Sequence, residues 1–289
     1  SLGGGLMRLF CFGYGYSAEA LARKLSPRLG ALAGTRTNPQ APQEAGAALA
    51  AYRGDGASAA VRGLLAGTTH LIVSIPPDLE GDAVLRNFAA DIAALKDLAW
   101  IGYLSTVGVY GDASGAWVDE ESPVRPRTER SLRRAEAERA WLDFGARAGR
   151  RVEVFRLAGI YGPGRNMLAS LRAGTARRIV KPGQMFNRIH VDDIARVLAA
   201  AIDKDTGLQV FNVSDDEPAP PEDVVAYAAE LMGLPVPPTV AFDAAGLEGM
   251  AASFWSECKR VRNERIRRQL GVELLYPTYR EGLRALAVG

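Results

Sequence analysis

The sequence has few residues of the kinds that build disulfide frameworks or metal centres, and no long apolar run. It contains two cysteines, Cys11 and Cys258, in 289 residues, so a disulfide framework is not expected and a reducing cytoplasm is predicted. It contains two histidines, His70 and His190, and no His, Cys and Asp cluster has the spacing of metal ligands, so no metal site is predicted. No apolar run approaches the length of about 20 residues that spans a bilayer, so no membrane partner is expected.

The net charge of the chain is also small. The formal net charge of +2 is too small to indicate a nucleic-acid partner, and no segment collects enough Lys and Arg to follow a phosphate backbone. The 48% hydrophobic content is enough for one large α/β unit, or for one domain and a smaller lobe. Residues 1–6 lack the charged region and long apolar core of a signal peptide, and we expect a disordered start or a cloning remnant there.

Strand-like and helix-like segments alternate along the chain. Short apolar runs at 7–12, 31–37, 70–75, 100–105, 151–157 and 210–213 predict strands. Helical periodicity over 81–98, 129–148 and 191–202 predicts helices between them, whereas residues 41–60 are rich in alanine without a clear period. This alternation favours a parallel sheet with helical crossovers. A proline-rich texture after residue 217 predicts a smaller lobe.

The first strand runs into a glycine-rich turn and then into a helix. Gly13, Gly15 and Ala18 form the G-x-G-x-x-A variant of the dinucleotide fingerprint. Glycines let a backbone approach a diphosphate, and a helix N-terminus offers N–H groups and a positive dipole end to its oxygens. The predicted cofactor contacts are therefore Gly13, Tyr14, Gly15, Tyr16, Ser17 and Ala18. An ordinary strand-turn-helix with no ligand is the alternative.

The end of the second predicted strand bears on the choice of cofactor. Arg36 lies 23 positions after Gly13, near the place where an acidic residue ordinarily holds the adenosine ribose of NAD. A guanidinium can pair with a 2′-phosphate through two hydrogen bonds, and Thr35 and Thr37 could add hydroxyl donors. The sequence therefore favours NADP, with NAD possible. A solvated surface arginine is the alternative.

Five motifs follow in one order. They are S-T-V-G-V-Y-G at 105–111, R-L-A-G-I-Y-G-P-G-R at 156–165, R-I-H-V-D-D-I-A at 188–195, F-N-V-S-D-D-E-P at 211–218 and Y-P-T-Y-R-E-G-L at 276–283. With the glycine turn they resemble the extended short-chain dehydrogenase/reductase superfamily, specifically the NAD-dependent epimerase/dehydratase group. The resemblance implies a Rossmann-like doubly wound parallel sheet with a smaller, mainly C-terminal substrate lobe. Residues 7–160, with 187–213 returning, would form the dinucleotide-binding domain, and 161–186 with 214–289 the substrate lobe.

The resemblance also implies roles for individual residues. Ser74, Ile75 and Pro76 match positions that line the adenosine half of the cofactor, and Ser105, Leu157 and Ile160 match further cofactor positions. Thr106 matches the hydroxyl residue that orients the reacting oxygen of the substrate. Arg165, Asn166, Asn187 and Arg188 flank a substrate-facing loop, where two arginines would suit a phosphate or a carboxylate. Exposure of these four residues without a ligand is the alternative. Because relatives in the family often dimerise through the helix that matches 129–148, the resemblance also implies a homodimer.

The catalytic pair of the family is missing. The family carries Tyr-x-x-x-Lys on a helix, and the matching slots hold Arg130 and Arg134. Arg130 stays protonated and cannot act as a general acid or base, whereas Arg134 can still hold ribose or phosphate oxygens. Tyr110 and Tyr161 are alternative proton donors, although in the family such tyrosines are usually packed. Glu138 and Arg130 could form a surface pair, as could Glu129 and Arg133.

Two functions remain open at this point. The first is an NAD(P)-binding protein of the epimerase/dehydratase type, with NADP favoured, that performs nicotinamide-dependent redox chemistry on a small polar or sugar-nucleotide-like substrate. The second is a catalytically inactive NADP(H)-binding sensor or regulatory protein, because the Tyr-x-x-x-Lys pair is absent.

Overall fold

The computed structural model describes residues 5–43 and 45–289, so the prediction for 1–6 falls partly outside the described residues. The strands are β1 (Met7–Phe12), β2 (Leu29–Arg36), β3 (Ala48–Ala51), β4 (His70–Val73), β5 (Trp100–Thr106), β6 (Trp117–Val118), β7 (Val152–Leu157), β8 (Gly159–Tyr161), β9 (Arg178–Val180), β10 (Arg188–His190), β11 (Val210–Val213), β12 (Thr239–Ala241) and β13 (Arg260–Val261). The helices are α1 (Tyr16–Leu25), α2 (Ala59–Leu65), α3 (Ala83–Ala93), α4 (Glu129–Ala148), α5 (Met167–Arg172), α6 (Val191–Asp203), α7 (Pro221–Leu231), α8 (Gly249–Trp255), α9 (Glu264–Leu270) and α10 (Tyr279–Val288).

Seven strands form the central sheet, in the order β11-β7-β5-β4-β1-β2-β3. The neighbours from β3 to β5 pair in parallel, as crossovers through helices require. From β1 the chain first builds outward to β2 and β3, and then crosses to β4 on the other side of β1. Open sheets of this kind bind ligands outside the carboxyl ends of the strands at such a reversal. The predicted Rossmann-like α/β fold is confirmed.

The chain divides into two compact units. Unit 1 comprises residues 1–106, 129–156 and 194–211, and unit 2 comprises 107–128, 157–193 and 212–289. The inner strands β1, β4 and β5 are almost wholly apolar and buried, as is typical of a parallel sheet covered on both faces. Phe12, Tyr52 and Phe88 form an aromatic cluster in this core, with ring centroids 5.1 to 6.0 Å apart.

Asp82 ties two helices of unit 1 together. Its Oδ1 accepts the Leu85 N–H at 2.9 Å and so caps α3, while its Oδ2 accepts the indole N–H of Trp141 from α4 at 3.0 Å. Burial raises the pKa of Asp82. Because Trp141 is fully buried and stacks on Tyr103 of β5, this contact fixes the rotation of α4 about its axis.

Unit 2 is built from short parallel pairs and helices. β8 pairs with β10, β9 with β12 and β6 with β13. A second apolar core forms between α5, α7 and α10, from Leu168, Val224, Ala228, Tyr279 and Leu283. The Asp193 carboxylate accepts the N–H groups of Leu275 and Tyr276 at 2.8 and 3.0 Å, which holds the segment that leads into α10.

The helices of residues 5–43 and 45–289 include none that is both long enough and apolar enough to cross a bilayer. The longest, α4, carries charged residues along its whole length. Its bounds are those that the sequence predicts, and β11 also has its predicted bounds.

Candidate functional site

Gly13 makes the tight turn after β1. Its φ is +88°, a conformation that favours glycine. A Cβ there would lie 2.5 Å from Ser74 Oγ and 3.2 Å from a side-chain carbon of Ile75. The Ser74 hydroxyl donates to the Gly13 carbonyl at 2.6 Å, so the chain after β4 lies against the turn. Pro76, the next residue, is exposed. The cofactor role of Ser74, Ile75 and Pro76 stays a prediction.

Thr35 of β2 supports the same turn. Its Oγ1 accepts the Gly13 N–H at 3.0 Å, and its carbonyl accepts the Tyr14 N–H at 2.8 Å. Thr35 is buried, so its hydroxyl holds the turn and does not offer a donor to a phosphate, which corrects the predicted role. Thr37 is exposed, and the structure leaves its predicted role open.

The opening of α1 fits a diphosphate. Gly15 is the N-cap residue and supplies no side-chain cap, so the first N–H groups of the helix face outward at its positive end. A Cβ on Gly15 would meet no atom within 4 Å, which shows open space beside the turn. Tyr16 is half-buried, Ser17 and Ala18 are buried, and the small Ala18 lets α1 pack closely on the sheet.

Arg36 is anchored in the structure. Its Nε donates to the Tyr14 carbonyl at 2.6 Å, and its Nη1 donates to the carbonyls of Ala41 and Pro42 at 3.0 and 2.9 Å. Its Nη2 pairs with the carboxylate of Glu19 on α1. The Arg36 side chain is only 14% exposed, so the alternative of a solvated surface arginine is wrong.

The Tyr14 ring packs against the Arg36 guanidinium. The Arg36 guanidinium lies 5.3 Å from the centroid of the Tyr14 ring, and burial raises the pKa of the Tyr14 hydroxyl to about 12. Gly34 makes room for the ring, because a Cβ there would lie 2.5 Å from the Cys11 carbonyl oxygen and 3.3 Å from the Tyr14 Cβ. Tyr14 therefore shapes the turn from inside, because its ring is buried and its N–H and carbonyl groups bond to Thr35 and Arg36.

A buried ion pair joins α4 to the sheet. Glu138 accepts two hydrogen bonds from the guanidinium of Arg156 on β7, at 3.0 and 2.8 Å, and one from the hydroxyl of Ser105 on β5, at 2.5 Å. The side chains of Glu138 and Arg156 are 5% and 7% exposed. The surface pair of Glu138 with Arg130 is therefore a wrong prediction, whereas Glu129 and Arg133 do form an exposed pair at 3.1 Å. Ser105 lies in the predicted region, but its hydroxyl is committed to Glu138.

Arg134 of α4 also contacts β5. Its Nη1 donates to the Tyr103 hydroxyl at 3.2 Å and to the Leu104 carbonyl at 3.1 Å. This brings Arg134 beside the strand end that carries Thr106, which is half-buried. Arg130, one turn earlier on the helix, is exposed. Of the two residues that match the family's catalytic pair, Arg134 is therefore bound to β5 and Arg130 is at the surface.

The two alternative tyrosines are packed within unit 2. The Tyr110 hydroxyl donates to Asn212 Oδ1 at 2.6 Å, and Tyr110 is 2% exposed. Tyr161 is buried, burial raises the pKa of its hydroxyl, and a Cβ on Gly282 of α10 would overlap that hydroxyl. Neither environment suits a group that must exchange a proton with a substrate.

The predicted substrate residues all lie in unit 2, in different settings. Asn166 caps α5 by accepting the Ala169 N–H at 3.0 Å, and Arg165 is exposed in the preceding turn. Arg188 is anchored, because its Nη1 donates to the carbonyls of Phe186 and Ala219 at 3.2 and 3.4 Å. Burial lowers the pKa of Arg188. Arg165 therefore remains the accessible guanidinium of the two.

Three further residues of unit 2 bear on the predicted site. His190 Nδ1 accepts the Asp192 N–H at 3.0 Å, and its ring centroid lies 4.1 Å from that of Tyr276, so its contacts are with neighbouring groups of unit 2. Leu157 is buried and Ile160 is half-buried. In the described part of the chain, no group of three or more His, Cys, Asp and Glu side chains is arranged to hold a metal ion.

Comparison with known proteins agrees with this geometry. Residues 89–214 match the model of the NAD dependent epimerase/dehydratase family. A 3-diazoavenalumate denitrifying reductase from Streptomyces sp. is 31% identical over 141 residues, which is 45% of this chain and 45% of the reductase. The chain spans about half the length of the curated relatives that it matches.

Solved structures match over nearly the whole chain. A conserved protein of unknown function from Silicibacter pomeroyi DSS is 50% identical, covers 98% of both chains and superposes with a TM-score of 0.89. The UDP-glucuronic acid 4-epimerase from Bacillus cereus, solved in complex with NAD, is 14% identical over 98% of this chain and 96% of its own, with a TM-score of 0.78. The match over residues 89–214, the ordered motifs and the fold confirm the predicted resemblance to the NAD-dependent epimerase/dehydratase family.

Proposed function

We propose that this protein binds NADP(H) in preference to NAD(H) and performs nicotinamide-dependent redox chemistry on a small polar or sugar-nucleotide-like substrate. The observation that carries the proposal is the turn after β1, where Gly13, the uncapped start of α1 and the open space at Gly15 fit a diphosphate. We further propose that unit 1 is the cofactor domain, that unit 2 is the substrate lobe, and that the protein is a cytoplasmic homodimer.

The preference for the 2′-phosphate rests on Arg36. A carboxylate at the end of β2 would repel a phosphate there, whereas this strand ends in a guanidinium. Nη2 of that guanidinium pairs with the Glu19 carboxylate, so a 2′-phosphate would replace this carboxylate as the acceptor from Nη2. The other hydrogen bonds of Arg36 hold its orientation during this exchange.

The bound nicotinamide would supply or accept the hydride. The protein would hold the cofactor through the N–H groups at the start of α1, through Arg36 and through the backbone after β4. Arg134 would hold ribose or phosphate oxygens, since it lies beside the end of β5. Thr106 would orient the reacting oxygen of the substrate. Arg165, which is exposed, would contact the polar part of the substrate and bind an anionic group there, whereas the side-chain amides of Asn166 and Asn187 bond within the protein.

A reductase function is preferred to that of a sensor because a curated relative is a reductase and a structural neighbour is an epimerase solved with NAD. The test is to titrate NADPH and NADH into the full chain by fluorescence, and into Arg36→Glu and Arg28→Glu. Arg28 directly precedes β2, at the end of the strand opposite to Arg36, and its guanidinium pairs with Asp203. It therefore serves as the matched control.

We expect the parent to bind NADPH at least tenfold more tightly than NADH, Arg36→Glu to lose that preference and Arg28→Glu to keep it. Equal affinities in the parent would refute the NADP assignment, and no binding of either cofactor would refute the cofactor site. Incubation of the NADPH complex with aldehydes, ketones and nucleotide sugars should change the absorbance at the nicotinamide band. A complex that binds NADPH and oxidises it with none of these compounds would favour the sensor.

A further inference from the structure

A stretch of unit 2 that carries none of the predicted site residues contains a buried ion pair with unused hydrogen-bonding capacity. Residues 257–261 lead into β13, which pairs with β6. Asn187 holds this stretch from both directions, because its Nδ2 donates to the Lys259 carbonyl at 3.0 Å and its Oδ1 accepts the Val261 N–H at 2.9 Å. Gln184 Nε2 donates to the Glu257 carbonyl at 2.7 Å. The stretch is thus fixed to the loop that carries Asn187, a predicted substrate residue.

The ion pair consists of Lys259 and Glu257. Lys259 Nζ lies 3.2 Å from Glu257 Oε2, and the two side chains are 8% and 11% exposed. Burial also lowers the pKa of Lys259. Removing two such charges from water is costly unless their remaining hydrogen-bonding capacity is met.

That capacity is not met by the protein. The second carboxylate oxygen, Glu257 Oε1, is buried and has no hydrogen-bond partner in the described part of the chain. A lysine ammonium has three donors. Within residues 5–43 and 45–289, the acceptor within hydrogen-bond distance of the Lys259 ammonium is Glu257 Oε2. One ion pair therefore leaves both an unused acceptor and unused donors in a buried place.

The chemistry of the pair selects the group that would complete it. A carbonyl or phosphate oxygen could accept from Lys259 but would offer nothing to Glu257 Oε1, and a phosphate would be repelled by that carboxylate. An amine could donate to Glu257 but would be repelled by the ammonium. A hydroxyl group does both, because its oxygen accepts from Lys259 while its hydrogen is donated to Glu257.

We propose that Lys259 and Glu257 form a binding site for a hydroxyl group of a polyhydroxylated, sugar-like substrate. The inference rests on the proposed function, since it names a substrate group recognised by the same protein. It assigns these residues to binding and not to hydride or proton transfer. An ordered water molecule that completes an otherwise structural pair is the competing occupant.

The experiment measures sugar binding to the NADPH-loaded full chain by calorimetry. The probes are UDP-glucose, UDP-glucuronic acid and free glucose, with UDP as the comparison that lacks the sugar. The variants are Lys259→Met and Glu257→Gln, both close to the parent side chains in size. Lys181→Met is the control, because the Lys181 ammonium is in the same unit but donates to the Trp255 carbonyl at 2.6 Å. Circular dichroism and urea unfolding verify that each variant folds.

We expect at least one sugar probe to bind, and Lys259→Met and Glu257→Gln each to weaken that binding by about tenfold or more. UDP binding and NADPH binding should change by less than about twofold, as should every affinity of Lys181→Met. Should Lys259→Met fail to fold, Glu257→Gln decides alone, because it removes the charge and keeps the shape.

Sugar binding that is unchanged in the folded variants would show a water-filled structural pair and overturn the proposal. Absence of binding by every sugar probe would overturn it as well. Failure of the proposed function has a different signature, because the parent would then bind no NADPH, or would bind a sugar and never oxidise NADPH.

Discussion

Removing the guanidinium of Arg156 should destabilise the protein strongly, because it leaves the Glu138 carboxylate buried. Glu138 accepts hydrogen bonds of 3.0 and 2.8 Å from Arg156, and its side chain is 5% exposed. Water cannot replace the lost partner at that depth, and breaking a buried pair from one side costs about 3–5 kcal/mol. We therefore expect Arg156→Met to lower the free energy of unfolding by about that amount in urea denaturation.

The matched double variant separates the charge effect from lost packing. Arg156→Met combined with Glu138→Leu removes both charges and keeps an apolar volume in the same place. The hydroxyl of Ser105 then loses its acceptor, which costs about 1 kcal/mol, and the double variant should recover most of the rest. Arg133→Met is the control on the same helix, since the pair with Glu129 is exposed and should change stability by less than about 0.5 kcal/mol.

The reasoning is refuted by either of two results. A loss below about 1 kcal/mol in Arg156→Met would mean that water or another cation reaches Glu138. A double variant as unstable as the single one would mean that packing, and not the unpaired carboxylate, determines the loss. Because α4 and β5 meet at this pair, a true loss should also lower hydrogen-exchange protection in residues 100–106.

Three further outcomes are expected. In fluorescence titrations, Glu19→Gln should tighten NADPH binding by about three- to tenfold without changing NADH binding, because it removes the anion that competes for Arg36. Equal changes for both cofactors would contradict this. Tyr110→Phe should lose about 1 kcal/mol of stability, since it breaks the bond to Asn212, yet keep any NADPH-dependent turnover; loss of turnover in a folded variant would restore Tyr110 as a proton donor. In Asp215→Asn, stability relative to the parent should increase as the pH rises above about 4, the ordinary pKa of an aspartate, in urea unfolding, and a constant difference would contradict it. Burial raises the pKa of Asp215 above its unfolded value, so the folded parent binds more protons and loses stability as pH rises.

The fold was predictable where a single element carries its own signal. The pattern of α4 is bounded by charged and small residues, and the structure places the helix over the predicted 129–148. The strand β3 was not predicted, because its sequence Ala-Leu-Ala-Ala has neither alternation nor β-branched residues. Pairing with β2 makes it a strand, and that pairing is a tertiary effect. The predicted helix over 81–98 is shorter in the structure, at Ala83–Ala93, with Asp82 as its cap.

The site residues were likewise predictable only where their signal is local in the sequence. The turn around Gly13 was predictable, because its glycine pattern is local. The role of Thr35 was not, since a side chain at a strand end can face a ligand or the neighbouring turn, and only the packing of β2 on β1 decides. The pair of Arg36 with Glu19 joins a strand to a helix 17 residues away in sequence. A charged pair at such a separation has no sequence pattern that marks it.

In place of the family's catalytic pair, α4 carries side chains that bind the helix to the sheet. Arg134 is bound to Tyr103 and Leu104, and Glu138 to Ser105 and Arg156, so this face of α4 joins the helix to the sheet. An arginine keeps its proton at any ordinary pH, so neither Arg130 nor Arg134 can supply one to a reduced carbonyl. The proton for the proposed reduction would therefore come from water or from a group other than these two arginines. Substitution of Arg134 should then weaken cofactor binding without shifting the pH profile of turnover, which separates a residue that holds the cofactor from one that transfers protons.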